Sequence, residues 1–399
     1  MASIESSPYP LAFRIGNANE LQFVAPDLGE ISIRTQARAL EGMQKEAVVT
    51  YGPTETSWRM VCDEGPYLNG TDLAPFPLAF FTAGLAASYM SEIIALLNRQ
   101  GIVYRDIKLS QDNRYGMEGS ALKGTMTGSA LPVDLQVRLD TDADKATIED
   151  IVKTAVRSSP AGALLRSELQ SEFSLTLNGE QIETGRVARM QEPAEPGPEG
   201  FDTAVPTNAE VLPSDIITKL ESTETLHGVA GGAGTSLAAE QKRILHVNGL
   251  CTLRGDGVKE IRTQLFSPIG SVFRFLSDDS RRLEGLERAP SGLVLLSAGI
   301  AFCYLTQLGR YAHIVKKPLA GYSLIQDTRF SLPEVSGRSG AATTASPVKT
   351  HVYIEGPDVD GDYARTLVDM GEQTCFLHAA CRSSVETHIT LDGTSVNSK

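Results

Sequence analysis

Two long apolar stretches dominate the hydrophobic pattern of this chain. Residues 78–100 and 291–313 are almost continuously apolar over helical lengths, which predicts two buried helices. Before each of them, over 45–62 and 244–277, apolar and polar residues alternate with the period of half-buried strands. The pattern therefore predicts the same order twice, a set of strands followed by a long core helix.

Each long helix is followed by more strands, a second helix and a closing strand. The carboxylates of 140–144 suit the start of a helix, and Pro160 should interrupt or restart the helix that follows. In the first half these elements are predicted at 102–116, 119–129, 132–140, 145–159 and 171–179. In the second half they are predicted at 320–330, 348–355, 361–383 and 385–391.

The two halves also share residues at a constant offset. A shift of 215 positions places Ala83-Gly84 on Ala298-Gly299 and Ser88 on Cys303. One position further, Ser159 meets Cys375. Solenoid repeats are about 20–50 residues long, so a repeat of this length indicates two homologous domains in tandem.

We expect a first domain over 1–180, a second over 244–399 and a Pro/Gly/Glu-rich linker over 181–243. Residues 1–40 are predicted as an N-terminal extension, and 214–222 as a short helix within the linker.

Composition narrows the classes of partner. The 399-residue chain has a formal net charge of −13 and no basic run, which argues against nucleic acid and anionic membrane surfaces as partners.

The stretch 291–309 carries no charge and is long enough for a bilayer. Its repeat partner contains Glu92, so we predict a core helix and no membrane partner. The N-terminus lacks a signal-peptide pattern, and we expect a cytoplasmic protein.

The five cysteines suggest reduced thiols or redox chemistry in place of a disulfide framework. Cys62 and Cys251 are predicted to be small buried hydrophobes. Cys303 and Cys375 differ from them, because both stand at repeat positions that hold serine in the first half. Serine cannot form a disulfide, so we expect the first half to be a structural partner.

An Ala-Gly-x-x-x-Cys motif at 298–303 and a second-helix cysteine at Cys375 resemble the OsmC/Ohr family, the osmotically inducible and organic hydroperoxide resistance proteins. The resemblance implies an α+β fold in which each domain wraps an antiparallel β-sheet around two long helices. Family members work as dimers of single domains. Two tandem OsmC-like domains would therefore form an intrachain pseudo-dimer.

The same resemblance implies a thiol peroxidase of the stress-response type. Cys303 would be the peroxidatic thiol, Cys375 the resolving thiol, and Arg254 the nearest counterpart of the family's catalytic arginine. The substrate would be a small organic hydroperoxide, no cofactor would be bound, and a dithiol such as a lipoylated protein would supply electrons. His378 is expected either to lower a thiol pKa or to be a core histidine.

Two departures from the family keep other functions open. Leu293 stands where the family places a glutamate, and Phe376 follows Cys375 where the family has proline. Cys303 with His378 is therefore also a candidate nucleophile toward a small aromatic or electrophilic metabolite, by hydrolysis, elimination or dehalogenation. A non-enzymatic small-molecule-binding protein is the third hypothesis.

Metal binding and quaternary structure complete the expectations. Cys375, His378 and Cys381 have metal-ligand chemistry. Their spacing of three residues spreads them around a helix, and we predict no metal or haem. The fused repeat removes the usual need for a dimer, and a homodimer of the whole chain stays open.

Overall fold

The computed structural model describes residues 2–18, 31–193, 195–207, 215–222, 241–280, 285–331, 342–392 and 394–396. Its helices are α1 (Pro77–Arg99), α2 (Lys145–Ser158), α3 (Pro160–Arg166), α4 (Gly292–Ile314), α5 (Gly361–Thr374) and α6 (Phe376–Arg382). The strands of the first half are β1 (Ala12–Arg14), β2 (Ile31–Ala39), β3 (Lys45–Tyr51), β4 (Thr56–Cys62), β5 (Tyr104–Gly119), β6 (Thr127–Ala130), β7 (Val133–Thr141), β8 (Glu172–Leu177), β9 (Glu180–Ile182) and β10 (Ala188–Arg189). Those that follow are β11 (Ile217–Glu221), β12 (Gln241–Leu253), β13 (Lys259–Ser267), β14 (Ile269–Ser277), β15 (Gly321–Ser331), β16 (Thr344–Ala345), β17 (Lys349–Glu355), β18 (Thr387–Leu391) and β19 (Thr394–Val396).

The helix boundaries follow the capping chemistry of the sequence. Asp144 accepts a hydrogen bond from the Thr147 N–H at the start of α2, as its position predicts. Pro160 begins α3 after a break at Ser159. The helix predicted over 361–383 is likewise two helices, because the chain leaves helical geometry at Cys375 between α5 and α6. Each half therefore has a helical elbow at its paired Ser/Cys position.

The strands form two mixed sheets, and each sheet draws on both halves of the chain. Sheet 1 has the order β1-β4-β3-β2-β15-β17-β8-β10, and sheet 2 has the order β11-β14-β13-β12-β5-β7-β18-β19. This corrects the expectation of one antiparallel sheet for each domain. The β17–β8 and β7–β18 pairs are parallel, and each joins the closing strand of one half to a strand of the other.

The helices α1 and α4 lie between the two sheets. Helix α1 packs on β12, β13 and β5 of sheet 2, whereas α4 packs on β2, β3 and β15 of sheet 1. The two helices cross at the repeated glycines. A Cβ on Gly84 would lie 2.5 Å from Leu296 N, and one on Gly299 would lie 2.7 Å from Phe81 N. The Ala-Gly motif thus allows the two backbones to touch one turn before Ser88 and Cys303.

Three expectations outside the repeat need correction. Residues 31–39 form β2, which lies between β3 and β15 within sheet 1, so this part of 1–40 is not an extension. The helix predicted over 214–222 is the edge strand β11. Within 181–243, β9 and β10 pair with β8 and β11 pairs with β14, so the segment is in part built into the sheets; Phe201 is buried in one cluster with Phe13.

Both long helices are core helices. By length and hydropathy alone each could cross a membrane, but 83% of the apolar window of α1 and 94% of that of α4 are buried inside the protein. Burial between two sheets explains why neither stretch needs a polar face.

Candidate functional site: a buried cysteine pair and its serine counterpart

The elbow between α5 and α6 presents the sulfur of Cys375 to the first turn of α6. Cys375 is the N-cap of α6, and its Sγ accepts a hydrogen bond from the His378 N–H at 3.5 Å. In the other half, Ser159 caps α3 and accepts from the Gly162 N–H at 3.1 Å. Serine is a strong N-cap residue, whereas sulfur accepts well only as a thiolate. The elbow therefore favours an ionised Cys375.

The structure brings Cys303 and Cys375 into one site, as the family resemblance implies. The two thiols are near enough for each to shift the pKa of the other. The serine pair has the same arrangement, with the Ser88 and Ser159 hydroxyl oxygens 2.9 Å apart. Cys303 is 2% exposed and Cys375 is fully buried. The two thiols are thus neighbours that are shielded from water.

His378 is held against Cys375 from within the core. Its Nδ1 lies 3.2 Å from the Cys375 Sγ, and its ring packs against Phe173 and Tyr304 with centroid distances of 5.5 and 5.3 Å. The side chain is fully buried, and its Nε2 has no hydrogen-bond partner among the described residues. His378 is therefore a core residue and a contact of the Cys375 thiol at the same time, so its two expected roles do not exclude each other.

Electrostatics assign the thiolate to Cys375. Burial opposes ionisation, but the Cys303 hydrogen bond, the charge of His378 and the two His378 contacts outweigh it and hold the pKa of Cys375 well below its usual value. Burial and the neighbouring Cys375 sulfur raise the pKa of Cys303. We expected Cys303 to be the thiol of lowered pKa. The elbow directs both His378 contacts to Cys375, which favours the thiolate there.

One acidic residue near Cys303 escaped the sequence analysis. Glu64, buried in the loop after β4, accepts hydrogen bonds from Thr306 at 3.0 Å and Tyr67 at 2.8 Å. Thr306 follows Cys303 by three residues on α4, and burial raises the pKa of Glu64. The repeat gave a signal for Glu64. Asp279 lies 215 positions later, at the equivalent position, and accepts a hydrogen bond from Ser91, the equivalent of Thr306, at 2.6 Å.

Arg254 is not among the residues that the structure brings to the thiols. It lies in the turn between β12 and β13, is 44% exposed and pairs with Asp256 at 3.2 Å. Leu293 also lies away from Cys303: ten residues along α4 span about 15 Å, and Leu293 lines a small pocket at Ser88. A glutamate at position 293 would therefore face the serine pair.

The pocket at Ser88 is small, and two carboxyl groups lie in its walls. Glu92 and Asp279 line it together with the first turn of α4, and the space inside is about 30 Å³, room for a water molecule or two. Burial raises the pKa of Glu92 to about 8, although a hydrogen bond from Ser158 opposes the shift. This half therefore retains the shape of the site without a group that can be oxidised to a disulfide.

The remaining cysteines have no feature that favours a thiolate. Cys62, Cys251 and Cys381 are buried, and burial raises the pKa of each thiol, to about 12 for Cys251 and Cys381. Among the described residues no group of three histidines, cysteines or carboxylates has the geometry to hold a metal ion. Cys381 is therefore not placed with Cys375 and His378 as a ligand set.

The protein has an α+β fold, and its candidate site is a pair of buried neighbouring thiols, one of which caps a helix and is contacted by a histidine. Comparison with known proteins adds a family. Residues 70–174, from the loop before α1 into β8, match the family model described as OsmC-like protein. That stretch contains Ser88 and Ser159, so the match falls on the half without the cysteine pair. The resemblance to the OsmC family is confirmed there. No curated protein matches the chain.

Proposed function

We propose that the protein reduces small organic hydroperoxides through a redox cycle of Cys303 and Cys375. The observation that carries this proposal is a pair of buried neighbouring thiols of opposed pKa shift, with the His378 Nδ1 3.2 Å from the Cys375 Sγ. An ionised sulfur is the species that attacks a peroxide, and an adjacent thiol is what traps the product.

The cycle has two chemical steps. The Cys375 thiolate attacks the terminal peroxide oxygen, the O–O bond breaks, and an S–O bond forms a sulfenic acid while the alkoxide leaves. The alkoxide takes the Cys303 proton and departs as an alcohol. The Cys303 thiolate then attacks the Cys375 sulfur, the S–O bond breaks, and the hydroxide is protonated to water as the disulfide forms. A dithiol reductant, such as a lipoylated protein of the cytoplasm, would restore both thiols by exchange.

Disulfide mapping tests this proposal. Reduced protein would be treated with one equivalent of cumene hydroperoxide, and its peptides separated without reduction for mass spectrometry. We expect a quantitative Cys303–Cys375 bond in the wild type and a trappable Cys375 sulfenic acid in Cys303→Ser. If both thiols stay reduced, the peroxidase proposal fails. A sulfenic acid on Cys303 in Cys375→Ser would instead restore the order expected from the sequence.

The 3.2 Å contact between His378 and Cys375 favours a second candidate function, a cysteine–histidine nucleophile acting on a small aromatic or electrophilic metabolite. Such a reaction needs one sulfur. Turnover of an aromatic ester or halide that survives Cys303→Ser and is abolished by Cys375→Ser would support it. Loss of turnover in both variants points back to the redox pair.

We further propose that the two halves form an intrachain pseudo-dimer. It is supported by the matching alternation of half-chains in the two sheets and by the paired Ser and Cys elbows. Residues 1–180 alone would lack β15 and β17, the strands that join β2 to β8 in sheet 1. We expect that fragment to unfold alone and to fold with a second fragment, 181–399. A cooperatively folded, monomeric 1–180 fragment would contradict the pseudo-dimer.

A further inference from the structure

A cleft at the C-terminal end of α4 lies outside the thiol site. We call it the α4 cleft. It is about 400 Å³ in volume and is walled by α4, the β2–β3 turn and the segment that leads into β15. Its apolar walls include Leu40, Met43, Leu68, Leu319 and Tyr322. Small-molecule pockets are usually about 300–1,000 Å³ and mostly apolar, so the α4 cleft has the size of a ligand site.

The charged side chains of the α4 cleft are all basic. Arg310, His313 and Lys316 line it, and none of the described residues in its walls is acidic. This is unusual in a chain with 49 acidic residues and a net charge of −13. A cleft of one sign with low-dielectric walls concentrates ligands of the opposite charge.

Arg310, on the inner wall, is the most buried of these basic side chains. The Arg310 side chain is 6% exposed, and burial together with the nearby Arg243 lowers its pKa to about 9. Glu64, Asp63 and Lys45 lie together behind this wall, and burial raises the pKa of Glu64. An anionic head group in the cleft would therefore meet basic side chains at a wall that holds no acidic residue among those described.

We propose that the α4 cleft binds an amphipathic monoanion, a medium-chain carboxylate whose apolar chain lies along the leucine-lined walls and whose head group meets the basic residues. The occupant follows from two properties that must be satisfied together. Apolar walls require a hydrocarbon body, and the one-sided charge requires an anionic end. This proposal does not depend on the thiol chemistry, because no cysteine lines the cleft.

Titration calorimetry with dodecanoate below its micelle concentration tests the proposal. The comparison ligands are dodecyltrimethylammonium, with the same chain and opposite charge, and acetate, with the same head and no chain. We expect dodecanoate to bind one site, and neither comparison ligand to bind it. Cys375→Ser should bind dodecanoate like the wild type. Equal binding of both long-chain ligands, or binding of neither, would overturn the proposal.

Two exposed lysines provide a matched pair of variants. Lys316 lines the cleft, whereas its neighbour Lys317 faces the ring of Tyr363 and does not. Lys316→Glu should weaken dodecanoate binding roughly five- to ten-fold, since it replaces an attraction with a repulsion. Lys317→Glu changes the net charge equally and should have little effect. Leu319→Trp, which fills the apolar wall, should abolish binding. If Lys316→Glu and Lys317→Glu weaken dodecanoate binding equally, the attraction depends only on net charge and the proposed site is refuted.

Discussion

Replacing His378 with phenylalanine tests the electrostatic assignment of the thiol pair. Phenylalanine keeps the aromatic packing between Phe173 and Tyr304 and the backbone N–H that caps Cys375, and it removes only the ring nitrogens. A hydrogen bond to a charged group contributes about 1.5–3 kcal/mol. At 1.36 kcal/mol per pKa unit, we expect the pKa of Cys375 to rise by about one to two units.

Thiolate absorbance in the ultraviolet, followed against pH, measures this shift without requiring a reagent to reach a buried sulfur. The signal that appears below the usual thiol range belongs to Cys375, because burial raises the pKa of Cys62, Cys251, Cys303 and Cys381. The exposed His388 provides a control through His388→Asn. An unchanged titration in His378→Phe would refute the assignment, as would an equal shift in the control.

The same variant has a signature in stability. Because the folded-state pKa of Cys375 is lowered, its ionisation stabilises the fold fully above the pKa of an unfolded thiol. That contribution is lost as the pH falls through the folded-state pKa. The difference in unfolding free energy between the wild type and His378→Phe should therefore be largest in mild alkali and shrink on acidification. A difference that does not change with pH would indicate lost packing alone.

Three further predictions concern the serine half and the helix crossing. Ser88→Cys with Ser159→Cys should form a second disulfide on mild oxidation, because the two oxygens are already 2.9 Å apart; peptide mapping detects it. Gly84→Ala should destabilise the fold by about 1–3 kcal/mol or more, since its Cβ would press on the α4 backbone, whereas Gly255→Ala meets nothing; thermal unfolding compares them. Glu92 is protonated in the fold up to about pH 8, so its contribution is full below the unfolded pKa near 4.5 and is lost as the pH rises. Glu92→Gln should therefore unfold at higher temperature than the wild type at pH 8.

Each of these predictions has a contradicting result. Failure of the double cysteine variant to cross-link would mean that the first elbow does not hold its side chains as the second does. Equal melting temperatures for Gly84→Ala and Gly255→Ala would contradict the close crossing of α1 and α4. A loss of stability at pH 8 in Glu92→Gln would mean that the carboxylate is favourably ionised in the fold.

The sequence was sufficient for the two long helices and for the equivalence of the serine and cysteine positions. Hydrophobic periodicity placed α1 and α4 within a residue or two, because a helix buried on all sides leaves a long uncharged run. The repeat matched Ser88 with Cys303 and Ser159 with Cys375, and the family resemblance implied that the two cysteines work as a pair. These inferences depend on local pattern and on comparison of the chain with itself.

Only the tertiary structure decided which half supplies each strand and which sulfur carries the charge. Alternation looks the same whether a strand pairs within its own half or across to the other, so the exchange of β15, β17, β5 and β7 between sheets left no mark in the periodicity. The pKa order of the two thiols depends on where the α5–α6 elbow points the His378 ring. Glu64 and the basic α4 cleft likewise arise from segments far apart in sequence, and burial and charge become properties of a site only once those segments meet.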